Sequence, residues 1–124
     1  MIRGLITPNR EATFRLGLLY SGGRIEEIDV VIDTGFDGYL TLPSALIAAL
    51  GMSYHSEINV VLGDGRIATL REFEARVDWN GAVRDVLVLE ADGGALVGMA
   101  LLYGSRVVLE VVDGGRVLID GLSP

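Results

Sequence analysis

Apolar residues in this chain recur mostly at every second position, the spacing of a strand with one buried and one solvated face. Ala12, Phe14, Leu16, Leu18 and Tyr20 alternate with Thr13, Arg15 and Gly17, and Ser21-Gly22-Gly23 then reads as a hairpin turn. The strand that follows starts near Arg24 and ends on the unbroken apolar run Val30-Val31-Ile32, a pattern that predicts burial on both faces of that end. Further on, Phe73, Ala75, Val77 and Trp79 alternate with Glu72, Glu74, Arg76 and Asp78. Asn80-Gly81 accommodates the two positive φ angles of a type I′ turn and leads into a strand over residues 82–89. The theme repeats with Val107 to Val112, the turn Asp113-Gly114-Gly115, and Arg116 to Ile119. One segment has helical spacing: Pro43 in its first turn, Leu46, Ile47 and Leu50 on one face, and Gly51 as its stop. A second, shorter helix is placed around Leu101 and Leu102. The expected architecture is mainly β and mostly antiparallel, without linkers or low-complexity segments.

Composition narrows the function classes. A length of 124 residues suits a single domain over 1–124. A chain of this size buries about two-thirds of the surface its unfolded form exposes, so a large cleft calls for a second subunit. Ten arginines, no lysine and 17 acidic residues give a net charge of −7, which argues against nucleic acid and anionic membrane surfaces as partners. The absence of cysteine excludes disulfides, thiolate nucleophiles and thiolate metal sites. With His55 as the sole histidine, no structural zinc site is expected, and neither metal nor cofactor is foreseen. The first ten residues contain no apolar core segment of the signal-peptide kind, and the nearly apolar stretch from Gly93 to Gly104 falls short of the ~20 residues that cross a bilayer. A cytoplasmic location is the corresponding expectation.

Asp33-Thr34-Gly35 carries the most chemical information. A carboxylate directly after Val30-Val31-Ile32 loses hydration at the exit of a buried strand and needs specific donors. Gly35 allows the backbone to turn closely there and to aim its N–H at that carboxylate. The longer stretch V-V-I-D-T-G-F-D-G-Y-L-T-L-P-S-A-L-I-A-A-L-G, followed some sixty residues later by A-L-V-G-M-A-L-L, resembles the retropepsin-like aspartic peptidases, the family of the retroviral proteases, and is most similar to its small single-domain bacterial members. In order along the chain, the match comprises the apolar strand into Asp33-Thr34-Gly35, a glycine-tipped hairpin at Leu62-Gly63-Asp64-Gly65-Arg66, and the signature Leu96-Val97-Gly98.

The resemblance implies a small closed β-barrel of the retropepsin type with one or two short helices. It also implies a homodimeric endopeptidase in which each subunit supplies one Asp-Thr-Gly loop. Elementary chemistry agrees with that expectation. One carboxylate cannot both take a proton from water and give one to a substrate carbonyl, whereas two sharing a proton can. A two-fold dimer brings Asp33 against its own copy, and like charges that close titrate in two separated steps, which predicts activity on the acidic side.

By the same resemblance Thr34 hydrogen-bonds across the dyad and Gly35 lies beside the catalytic water. Phe36 lines the cleft, and Asp37 contacts the main chain of a peptide substrate. Gly63, Asp64 and Gly65 form the tip of a flap, and Leu96, Val97 and Gly98 form the loop packed behind the site. The family usually has Asp or Asn where this chain has Ala100, and its retroviral members have Arg where this chain has Met99. These departures leave room for an alternative, a catalytically inactive dimeric binding or regulatory module on the same fold. By the same resemblance, the Val107 to Ile119 hairpin and the amino-terminal strand are the expected dimer interface.

Other chemistries fit poorly. Asp33 to Gly38 has carboxylates at positions one and five of a calcium loop, but Gly35 stands at position three and Ser44 at position twelve. Tyr54-His55-Ser56-Glu57 reads as a solvated connection after a helix, a poor setting for a Ser-His-Asp triad. Gly63-Asp64-Gly65 lacks the third glycine of a phosphate-cradling loop.

Overall fold

The computed structural model describes residues 1–122. Ten strands make one sheet: β1 (Ile2–Ile6), β2 (Ala12–Tyr20), β3 (Arg24–Ile32), β4 (Leu40–Leu42), β5 (Ser53–Val61), β6 (Ile67–Trp79), β7 (Ala82–Glu90), β8 (Leu96–Val97), β9 (Ser105–Leu109) and β10 (Arg116–Gly121). Two short helices, α1 (Ser44–Ala49) and α2 (Met99–Leu102), interrupt them. The strands run in the order β5-β6-β7-β4-β8-β3-β2-β1-β10-β9, and a further pairing of β6 with β2 closes β6, β7, β4, β8, β3 and β2 into a ring. The fold is therefore mainly β, as its period-two pattern predicts. Among the described residues no helix is long and apolar enough to cross a membrane.

Side chains of period-two segments fill the ring. Phe14, Leu16 and Leu18 of β2 and Phe73, Val77 and Trp79 of β6 are buried, and Phe14 meets Trp79 edge to face at 6.0 Å between ring centres. The β6–β7 turn forms as its sequence dictates: Asn80 and Gly81 adopt φ of 54° and 83°, and the Asp78 carboxylate accepts the Gly81 N–H at 3.0 Å. Outside the ring, β1, β10 and β9 form a terminal layer whose Val117 and Ile119 reach the same core.

Four local expectations change. Val30 is fully buried and Ile32 packs on the core, while Val31, on the opposite face of the strand, is half-buried and lies outside the core cluster. The strand expected over Val107 to Val112 ends at Leu109; the chain then leaves the ladder, with the Val112 N–H bonding back to the Glu110 carbonyl at 2.9 Å. Residues 54–57 are part of β5 and not a connection, since β5 is an edge strand whose exposed face tolerates His55 and Glu57. Pro43 caps α1 in an extended conformation and precedes its first turn.

Candidate active site

Asp33 follows β3 directly, and the loop from residues 33 to 39 returns the chain as β4. Between these two strands lies β8, parallel to β3 through Val31 opposite Leu96 and antiparallel to β4 through Leu40 opposite Val97. The inserted strand holds the loop at its root, where the Asp33 N–H donates to the Val97 carbonyl at 2.9 Å. Thr41, only 8% exposed, accepts the Leu96 N–H on its hydroxyl at 3.0 Å and anchors β8 from the other side.

The Asp33 side chain is half-buried, and its Oδ1 accepts the Gly35 N–H at 2.9 Å. A Cβ at residue 35 would sit 3.3 Å from that oxygen, so glycine leaves the carboxylate unobstructed. Among the described residues no other donor and no cation engages Asp33, so Oδ2 is open to a ligand. Thr34, Gly35 and Asp37 are exposed, whereas Phe36 is half-buried with its ring against Gly38 and Gly98.

Behind this loop the chain is crowded. Gly98 is buried against it: a Cβ there would press on the Gly38 carbonyl oxygen and lie 2.7 Å from that of Phe36. The amides of residues 98, 99 and 100 all serve the loop, donating to the carbonyls of Tyr39 at 3.0 Å, Phe36 at 2.8 Å and Gly38 at 3.1 Å. Backbone groups thus brace the loop at Met99 and Ala100.

Sequence reasoning missed Arg84. It donates to the carbonyls of Leu101 at 2.8 Å and Ala100 at 3.1 Å, and its guanidinium lies over the Tyr39 ring. A signal existed in the pattern. Arg84 is in phase with buried Val86 and Val88 on β7, and a charged residue on the inward phase of a strand calls for specific acceptors.

Neither a family model nor a curated protein matches the chain.

The hairpin of β5 and β6 carries the other predicted residues, and its bonds are local. The Leu62 N–H donates to the Arg66 carbonyl at 2.7 Å and the Gly65 N–H to the Leu62 carbonyl at 2.9 Å. The Asp64 carboxylate accepts the Arg66 N–H at 3.0 Å and pairs with its guanidinium, so Asp64 is engaged within its own turn. Among the described residues no hydrogen bond joins this turn to the Asp33 loop. Below the turn, Val61 and Ile67 stand opposite each other and are 75% and 70% exposed. The structure therefore brings Asp33 to Asp37 together with Leu96 to Gly98, while the hydrogen bonds of Gly63, Asp64 and Gly65 stay within their own turn. His55 belongs to neither group; its ring faces Glu74 at 3.3 Å and Glu72 at 3.9 Å. A concavity of about 1020 Å³ between the β2–β3 turn, the end of α1 and β6–β7 contains Tyr20, Tyr39 and Arg76 but not Asp33.

Proposed function

We propose that the chain is an aspartic endopeptidase of retropepsin type that works as a homodimer, with Asp33 of two copies sharing one proton across a two-fold axis. The observation that carries this reading is the state of Asp33: half-buried, oriented on one oxygen by Gly35, open on the other, and rooted by a strand inserted between β3 and β4. One chain supplies one such loop, so a second copy would complete the acid–base pair.

In this mechanism the ionised carboxylate takes a proton from a water held between the two. The water oxygen attacks the peptide carbonyl carbon while the protonated carboxyl gives its proton to the carbonyl oxygen. The resulting gem-diol collapses as one carboxyl protonates the amide nitrogen and a hydroxyl proton returns to the other carboxylate. The C–N bond breaks and leaves an acid and an amine. No metal or cofactor takes part in this scheme. Exposed Val108, Leu109, Val111 and Val112 on the β9 side, with Leu5 of β1, give a second copy apolar surface to cover.

The test is hydrolysis of a mixed peptide library at several pH values by the purified protein and by Asp33→Asn, with the association state measured alongside. Cleavage on the acidic side by a dimer, reduced by orders of magnitude in the variant, is the expected result. Equal cleavage by both proteins overturns the mechanism. A dimer that cleaves nothing at any pH favours the binding module.

A further inference from the structure

We propose that Arg84 is a positioning residue for the Asp33 loop, acting as a clamp on the far end of the helical turn that braces it. The clamp itself is a mechanical statement about the loop; only its catalytic consequence rests on the peptidase reading. α2 spans four residues, and its two ends have different partners. At its start, the Met99 and Ala100 amides hold the carbonyls of Phe36 and Gly38, immediately beyond Asp33-Thr34-Gly35. At its end, the carbonyls of Ala100 and Leu101 accept the two Nη groups of Arg84 at 3.1 and 2.8 Å. Tyr39 joins both sides, since its ring lies under the guanidinium at 5.8 Å and its carbonyl accepts the Gly98 N–H at 3.0 Å.

Among the described residues Arg84 has no carboxylate within ion-pair distance. A partly buried cation without a counter-charge needs strong acceptors, and the last carbonyls of a helix supply them at the negative end of the peptide dipoles. So short a helix has little stability of its own and depends on contacts at both ends. Arg84 comes from β7 opposite buried Val77, a rigid part of the ring, so it ties α2 and, through α2, residues 36–39 to a fixed reference. Met99 and Ala100 contribute no polar side chain, and in this chain the brace arrives from a neighbouring strand instead.

The test uses the full chain and three variants. Arg84→Met keeps the stem and removes the donors, Arg84→Lys keeps the charge but not the fork, and Arg76→Met removes one exposed arginine elsewhere. Amide hydrogen exchange read by NMR is expected to accelerate roughly tenfold at Met99 and Ala100 in Arg84→Met, as fits loss of charge-assisted bonds, while Val117 and Ile119 of β10 stay unchanged. Arg84→Lys should fall between, and Arg76→Met should match the parent. In peptide cleavage, Arg84→Met should lower kcat about tenfold with KM changed less than about twofold, because the carboxylate is displaced while the cleft persists. Unchanged exchange at Met99 and Ala100, or equal acceleration there and in β10, overturns the clamp. If Arg84→Met does not fold, Arg84→Lys answers the same question. If no form cleaves peptide, the exchange still decides the clamp and the peptidase reading alone falls.

Discussion

The Asp33 loop with its backing at Gly98, and the hairpin tip from Leu62 to Arg66, are both glycine-marked turns singled out by the sequence, yet they are built on opposite principles. At Gly98 the glycine is demanded by space: any side chain would enter the backbone of Phe36 and Gly38, and the amides of residues 98–100 are all committed to that loop. At the hairpin tip space is free. A Cβ at Gly63 or Gly65 meets nothing within 4 Å, and Gly65 is demanded only by its φ of +86°. One turn is held by its surroundings, the other by its own backbone angles and the Asp64–Arg66 pair. The difference predicts a rigid site root and a yielding hairpin, because local opening follows the density of buried contacts.

Substitution can break this contrast. Gly98→Ala should have the largest effect, a loss of about 3 kcal/mol or more in a urea titration, because the methyl meets backbone that cannot rotate away. Gly65→Val should cost about 1–2 kcal/mol for a β-branched residue at positive φ, with the penalty confined to the tip. Gly63→Ala should stay within roughly 0.5 kcal/mol of the parent, since it meets neither obstacle. If Gly98→Ala and Gly63→Ala unfold at the same urea concentration, the contrast is wrong. Hydrogen exchange sharpens it further: amides 62–66 should exchange far faster than Met99 and Ala100, and equal protection would argue against a mobile hairpin.

The smallest expected effect lies in the terminal layer. Arg116 hydrogen-bonds Glu110 and holds its carboxyl below the ordinary glutamate value of 4.5, and Glu110 in turn raises Arg116. A carboxylate depressed in the folded state adds stability that is present above its unfolded value and is lost as pH falls through the folded one. Both groups are solvent-exposed, so solvent screens the pair and the effect is slight. The parent should lose marginally more thermal stability than Glu110→Gln on acidification from about pH 5 to pH 3, and parallel melting curves would show that the pair contributes nothing.

Much of the fold was legible along the chain. The alternation in 12–20 and 73–79, the Asn80-Gly81 turn and the short helix after Pro43 all follow from side-chain period and backbone preference, which act between near neighbours. The candidate Asp33 was legible too, because a carboxylate at the end of an apolar strand is locally conspicuous, and so was the tie between its loop and Leu96-Val97-Gly98, though only through resemblance to a family pattern. His55 was misplaced in a connection, since an edge strand with polar residues on its open face looks like a loop from the sequence alone.

What period and turn chemistry could not specify is which segments meet. They give each strand a buried face but no partner, so the closing of β6 onto β2 and the entry of two-residue β8 between β3 and β4 follow only from the assembled sheet. The same limit hid Arg84. Its chemistry is written in one residue, but its partners are backbone carbonyls 16 and 17 positions away, and a backbone carbonyl has no letter of its own in a sequence. Near-neighbour forces thus decided the elements and the candidate carboxylate, while long-range packing decided what holds that carboxylate in place.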